Sequence, residues 1–228
     1  TKRNIKRLCN EAKNIDLSII KPDSEQYNNL LKSYILAGVP NITAPQDNIL
    51  FAYLYDYARK NKLKHFLSGG NFATESILQK GNVFDLEDSV NIKDINKNFV
   101  NKPVDKLKFR SKLQKFVDQK ILKIQTIRPL NYIEYDRDRA FKELEEFCGF
   151  EYYGSKHLEN DLTAFAQLYW FPQKFNVDKR KSHLSSMIVS QQITREEALR
   201  ELEKPLYDEE NMESIINKIL SNINMSRT

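Results

Sequence analysis

Apolar residues recur along this chain at helical spacing for most of its length, interrupted by a few short continuous runs of strand length. Thr1 to Lys13 predicts a helix with Ile5, Leu8, Cys9 and Ala12 on one stripe, and Asp16 to Ile20 predicts a strand that Pro22 ends. Ser24 is placed to cap a second helix whose apolar face is Tyr27, Leu30, Leu31, Tyr34 and Ile35, with Gly38 and Pro40 stopping it. Pro45 opens a third helix carrying Ile49, Leu50, Leu54, Tyr55 and Ala58, and a short strand from Lys64 to Leu67 follows. Strand, helix, helix, strand with short connections is the pattern of a parallel sheet covered by helices.

Beyond Gly81 the pattern changes. Asn91 to Gln119 is rich in Lys, Asn and Asp with weak periodicity, which predicts a helical excursion, and Ile121 to Ile127 reads as a closing strand. From Asp138 onward every apolar face is helical: Ala140, Phe141, Leu144 and Phe147, then Leu162, Phe165, Ala166 and Tyr169, then Leu184, Met187 and Ile188. Thr194 with Glu197 forms a capping box before Ala198, Leu199 and Leu202, and Asp208 precedes a last helix bearing Met212, Ile215, Ile216 and Ile219. The predicted architecture is α/β: a partial parallel, Rossmann-like sheet in residues 1–90, a connecting excursion and strand in 91–127, and a mostly helical segment in 128–228.

Composition narrows the classes. The longest apolar runs, Leu17 to Ile20 and Ile49 to Leu54, fall far short of the roughly 20 residues that cross a bilayer, and no basic-then-apolar signal opens the chain, so a cytoplasmic protein without a membrane span is expected. Cys9 and Cys148 lie far apart with no second Cys or His at metal spacing, which supports neither a disulfide framework nor a zinc site. The net charge of +5 favours a phosphate-bearing partner without distinguishing nucleotide from nucleic acid, and the tight basic cluster is Lys179, Arg180 and Lys181.

The stretch HFLSGGNFATES, His65 to Ser76, carries the most chemistry. In an open parallel sheet, ligands settle beyond the carboxyl ends of the strands, where Gly69, Gly70 and Asn71 stand. Paired glycines permit positive φ and close backbone approach, amides opening the next helix are suited to an anion, and Glu75 to a magnesium ion or a ribose hydroxyl. Taken alone, paired glycines after a strand are most often just a tight turn, and a Walker-type loop is excluded because its Gly-x-x-x-x-Gly-Lys-Ser/Thr is absent. Gln46 and Asp47 open the third helix, where a carboxylate complements the dipole or faces a nucleotide. In the second half, YYGSKH and KFNVDKRKSH combine Tyr, Lys, Arg and His at helix entries. Lys179 and Arg180 are suited to a diphosphate, while Lys156, His157 and His183 are suited to orienting an acceptor or to proton transfer. The same residues also make an ordinary solvated basic face. Tyr169, Trp170 and Phe171 continue an apolar helix face and read as core.

Two long segments, AGVPNITAPQDNILFAYLYDYARKNKLKHFLSGGNFATESIL and IRPLNYIEYDRDRAFKELEEFCGFEYYGSKHLENDLTAFAQLYWFPQKFNVDKRKSHLSSMIVSQQITREEAL, resemble the N-acetyl sugar amidotransferase family in sequence and order. That family belongs to the PP-loop ATP pyrophosphatase superfamily and acts in bacterial surface polysaccharide (lipopolysaccharide O-antigen) and nonulosonic acid synthesis. The resemblance implies an ATP-dependent ligase using ATP and Mg2+: an oxygen on a UDP-linked N-acetyl sugar is adenylated with release of pyrophosphate, and ammonia displaces AMP. It also implies a glutaminase subunit that supplies the ammonia and a cyclase-like partner, with homo-oligomers possible and nucleic acid not expected.

By the same resemblance, Gly69, Gly70, Asn71, Thr74, Glu75, Gln46 and Asp47 would face the nucleotide, Glu75 would hold the metal, Tyr153, Lys179 and Arg180 would bind substrate, and Lys156, His157 and His183 would be catalytic. SGGNFATE departs from the superfamily's Ser-Gly-Gly-x-Asp-Ser, having Phe72 for Asp and Ala73 for Ser, and looks instead like a later Gly-Gly-Asn-x-x-Thr-Glu segment of the family. The pyrophosphate loop proper is then expected before Thr1. Other readings are a non-catalytic protein that binds a sugar nucleotide or a glutaminase, and a PP-loop RNA-modifying enzyme.

Overall fold

The computed structural model describes residues 2–12, 15, 17–78, 85, 87–152 and 160–227. Helix α1 (Lys2–Glu11) is followed in chain order by α2 (Ser24–Ala37). The strand expected at Asp16–Ile20 is not formed by its described residues. Leu17, Ile19 and Ile20 are 50%, 72% and 51% exposed, so this apolar run enters no core, and no strand among the described residues pairs with it. The α2 cap is Asp23, not Ser24: the Asp23 carboxylate accepts from the Gln26 amide at 2.9 Å. At the other end Gly38 adopts φ +65, the left-handed cap its sequence position predicts.

Helix α3 (Ala44–Lys60) precedes β1 (His65–Leu67), which enters a tight turn and the short α4 (Phe72–Glu75). The excursion contains α5 (Ser89–Phe99), an irregular run, and α6 (Lys112–Phe116) continued by a π turn at Val117–Ile121. Then β2 (Gln125–Ile127) pairs parallel to β1, His65 opposite Gln125 and Leu67 opposite Ile127. The sheet among the described residues has these two strands, and the protein is otherwise mostly helical. One sheet face is covered by α3, with the Tyr55 and Phe66 rings edge to face at 5.0 Å and Ile124 beneath them.

After a 3-10 turn at Pro129–Asn131 come α7 (Arg137–Cys148), then α8 (Asp161–Ala164), a π turn at Phe165–Trp170 and α9 (Phe171–Phe175) without a break, then α10 (Arg180–Val189), α11 (Arg195–Glu203) and α12 (Glu209–Asn222). The Thr194–Glu197 capping box and the Asp208 cap are both made. The α7 stripe departs from expectation: Leu144 and Phe147 are 37% and 53% exposed, and Cys148 is its buried residue, because α7 packs on the small α1 and not on the central core.

That core crosses the predicted boundaries at 90 and 127. Leu30, Tyr34 and Ile49 from the first segment meet Ile92 and Leu107 from the excursion and Phe165, Met212 and Ile216 from the last. The excursion therefore buries its own apolar stripe against α2. No helix among the described residues is long and apolar enough to cross a membrane.

Candidate functional site

The turn after β1 is shaped by side chains. Asn71 caps α4: its Oδ1 accepts from the Thr74 amide at 3.0 Å and from the Thr74 hydroxyl at 3.1 Å, and both residues are buried. The Phe72 amide donates to Asn131 Oδ1 at 2.9 Å. Two of the amides expected to receive an anion are thus already spent. Neither Gly69 nor Gly70 uses positive φ, which among the glycines belongs to Gly38 and Gly149 in the described residues. Their value is space. A Cβ on Gly69 meets nothing within 4 Å, whereas one on Gly70 would stand 3.1 Å from Glu75 Oε2 and 3.6 Å from Arg128 Nε.

Helix α10 clasps this turn with residues spaced along one of its faces. His183 Nδ1 donates to the Thr74 carbonyl at 2.9 Å, the Ile77 amide donates to Ser186 Oγ at 2.9 Å, and Ser190 Oγ donates to the Ala73 carbonyl at 2.7 Å. Because a carbonyl only accepts, the first bond fixes the His183 proton on Nδ1.

Between turn and helix lie two adjoining cavities that share Thr74, Glu75, Arg180 and His183. The smaller, about 310 Å³, adds Gln167, Lys179 and Ser182, with Gln167 supplied by the π turn inside the long helix. The larger, about 450 Å³, adds Gly69, Asn71, Tyr135, Arg137, Phe141 and Tyr152 among others. Burial lowers the Lys179 ammonium below its ordinary range, and its Nζ lies 5.9 Å from the centre of the Phe171 ring. Burial raises the Tyr135 and Tyr152 phenols, and the charge of Arg137 works against the rise in both.

Of the residues singled out from sequence, Gly69, Asn71, Thr74, Glu75, Lys179, Arg180 and His183 line this paired hollow. Gly70 sits behind Glu75. Tyr153, Lys156 and His157 lie outside the described residues. Gln46 lines a different cavity, where its Oε1 accepts from Tyr27 Oη at 3.5 Å and from Asn160 Nδ2 at 3.3 Å, tying α3 to α2 and to the cap of α8. Asp47 lines neither compartment, and burial raises its carboxyl to about 6.

Arg180 reaches the hollow but spends its fork elsewhere. Its Nε and Nη2 donate to Asp178 at 3.1 and 2.9 Å, Nη1 to the Glu201 and Lys204 carbonyls at 3.2 and 2.9 Å, and Nη2 to the Leu202 carbonyl at 3.3 Å. All five N–H groups of a guanidinium are then used, so in this arrangement Arg180 anchors the end of α11. Sequence reasoning misses Arg137 and Phe141, because Arg137 stands just before the helix predicted from Asp138 and Phe141 reads as its apolar stripe, while Tyr152 opens the YYGSKH stretch in which Tyr153 is named instead. The Arg137/Phe141 spacing of four, one helical turn, was the available signal.

Magnesium carried by a nucleotide fits Glu75, since this ion commonly takes one or two protein carboxylates and completes its shell with phosphate and water. A cage made by protein alone is not seen: no three His, Cys, Asp or Glu side chains converge among the described residues.

The described residues thus form a mostly helical protein with a small parallel sheet and a polar, partly basic hollow beyond a strand end. Residues 159–228 match the family model described as LPS biosynthesis protein WbpG-like, C-terminal domain. Over that segment the chain is similar to WbpG-like proteins, which supports involvement in lipopolysaccharide biosynthesis. No curated protein and no solved structure matches the chain.

Proposed function

We propose that this chain is the sugar-binding and part of the nucleotide-binding portion of an ATP-dependent amidotransferase, acting on a UDP-linked N-acetyl sugar in lipopolysaccharide biosynthesis. One observation carries the reading. The glycine turn and the Lys179–His183 end of α10, separated by the middle of the chain, line one hollow. In it Lys179 neutralises a phosphate, Glu75 receives magnesium with ATP, and His183, held through Nδ1, orients the group that reacts. A carboxylate or amide oxygen is a poor leaving group. Adenylation joins it to the α-phosphorus of ATP with release of pyrophosphate, and ammonia from a glutaminase subunit then attacks the carbon, so that the C–O bond breaks and the oxygen leaves in AMP.

The test incubates the native gene product with ATP, Mg2+, ammonium and a UDP-linked N-acetyl sugar bearing a carboxylate. AMP and pyrophosphate formed in step with a product in which nitrogen has replaced oxygen, read by mass spectrometry, is the expected result. Sugar-nucleotide binding with no AMP under any ammonia supply overturns it. That outcome is the second reading, a non-catalytic sugar-nucleotide-binding protein, which the engagement of the Phe72 and Thr74 amides favours.

A further inference from the structure

The two arginines that line the larger compartment differ in how their donors are spent. Arg180 has none left. Arg137 donates through Nε to Asp138 Oδ1 at 3.1 Å and through Nη1 to Met187 Sδ at 3.9 Å, a thioether and so a weak acceptor. Its second Nη1 hydrogen and both on Nη2 have no partner among the described residues.

The arginine is nevertheless held in place. Its backbone amide donates to Gln192 Oε1 at 3.1 Å, and Gln192 Nε2 donates to the Tyr135 carbonyl at 2.9 Å. Its side chain is 34% exposed, enough for a ligand to reach. One turn further along α7, on the same face, Phe141 lies with its ring centre 4.4 Å from that of Tyr152. The residues that carry a planar cationic fork and an aromatic plate therefore stand about 6 Å apart along the axis of one helix. Of the other charges on the wall, Lys204 is paired with Glu201, and Arg180 with Asp178. Glu75 lines the same compartment, so a diphosphate that brings a divalent cation meets a carboxylate as well as Arg137 there.

We infer that the larger compartment is a diphosphate subsite: Arg137 grips a phosphate of a nucleoside diphosphate group, and the flat organic part of that ligand lies against Phe141 and Tyr152. The inference rests on the sugar-nucleotide reading above and names the residue that does the gripping. Since the two compartments share Thr74, Glu75, Arg180 and His183, a ligand so held extends toward the glycine turn.

Calorimetric titration of the native protein with UDP and with uridine, each with and without Mg2+, tests it. Arg137→Gln is expected to weaken UDP binding roughly tenfold or more, to leave uridine binding unchanged, and to remove most of the gain from magnesium. Arg139→Gln, two residues on and paired with the exposed Glu143, should change nothing. If Arg137→Gln fails to fold by circular dichroism, Arg137→Lys decides, because it keeps the charge and loses the fork; several-fold weaker UDP binding is expected. Unchanged UDP affinity in a folded Arg137 variant overturns the subsite, as does a native protein that does not bind UDP. The first result leaves the amidotransferase reading standing if AMP still forms with the sugar nucleotide; loss of AMP formation with UDP binding intact and sensitive to Arg137 removes that reading and keeps the subsite.

Discussion

Two charged regions of this protein look alike in sequence and behave differently in space. The first lies against α3 beside the small sheet. There Arg110, 3% exposed, contacts Asp118 at 3.4 Å and Glu87 at 3.1 Å, with its guanidinium carbon 3.6 Å from the Tyr55 ring centre. Asp118 is fully buried and also accepts from Arg59 at 2.7 Å, while Asn48 holds the Arg110 backbone through its amide and its carbonyl, each at 2.9 Å. This node is buried and largely paired within itself; Arg110 Nη2, enclosed from solvent, has no hydrogen-bond partner among the described residues. The second region, the hollow between α4 and α10, contains a saturated arginine, Arg180, and, among the described residues, two cations with unspent donors, Lys179 and Arg137. Charge alone therefore does not mark a candidate site; what separates the two regions is that the unspent donors of Arg137 are on a side chain solvent can reach, whereas that of Arg110 is enclosed.

The largest effect that sharpens this contrast is expected at Asp118. Asp118→Ala leaves Arg110 and Arg59 without their shared buried carboxylate, and breaking a buried pair in this way costs about 3–5 kcal/mol. Urea denaturation measures it. A loss under about 1 kcal/mol would mean that the node is not the buried, structural unit described.

Next comes the pair Lys179 and Arg180, which the structure splits. Arg180→Ala removes the Asp178 pairing and the donors that hold the last carbonyls of α11, and should lower stability by about 2 kcal/mol. Lys179→Ala should stay within about 0.5 kcal/mol of the native protein while weakening sugar-nucleotide binding roughly tenfold. Thermal melts with matched titrations read both. Equal stability losses for the two variants would erase the distinction between anchor and ligand-facing cation.

Short-range features of this fold were legible in the sequence, and those that depend on distant partners were not. The Thr194–Glu197 box, the Asp208 cap and the Gly38 stop follow from rules acting within four residues, and each is formed. The Asp16–Ile20 strand failed because an apolar run becomes a strand only beside another, and Leu17, Ile19 and Ile20 lie exposed. In the candidate site, the turn after β1 and the Lys179–His183 helix entry were both visible as unusual chemistry. That α10 would clasp α4 through His183, Ser186 and Ser190 was not, since nothing local links residues so far apart. The sequence also shows that Arg180 is charged without showing that Asp178 and the end of α11 absorb its fork.

Asp47 supplies a third case on the same α3 helix as Asn48 and Arg59, a carboxylate with no ion pair among the described residues. Burial raises it to about 6 even though it stands in the first helical turn, where the dipole favours the ionised form. The folded state then binds more protons than the unfolded chain between the ordinary carboxylate range near 4 and about 6, so this residue's contribution to stability is full below that window and is lost as pH rises through it. Asp47→Asn should raise stability at pH 7 by about 1–2 kcal/mol, discounted for residual solvent contact, and change little at pH 4. Melting curves at both pH values check it. Destabilisation at pH 7 would show a cation partner for Asp47 and move it into the paired class with Asp118.

The smallest effects separate the two adjacent glycines. At Gly69 the backbone does not use positive φ and an added methyl meets open space, so Gly69→Ala should stabilise the protein by about 0.4–1 kcal/mol through the unfolded chain alone. The same change at Gly70 sets a methyl 3.1 Å from Glu75 Oε2 and 3.4 Å from Ser68 Oγ. The carboxylate must then move by a few tenths of an ångström, and magnesium-dependent nucleotide binding should fall while the melting temperature stays near that of the native protein. Calorimetric titration with ATP in the presence and absence of Mg2+ reads the second effect, and a melt reads the first. If both alanine variants gain stability and bind Mg2+-ATP alike, the glycine pair is only a turn, and the side of the hollow built on Glu75 joins the structural regions of the molecule.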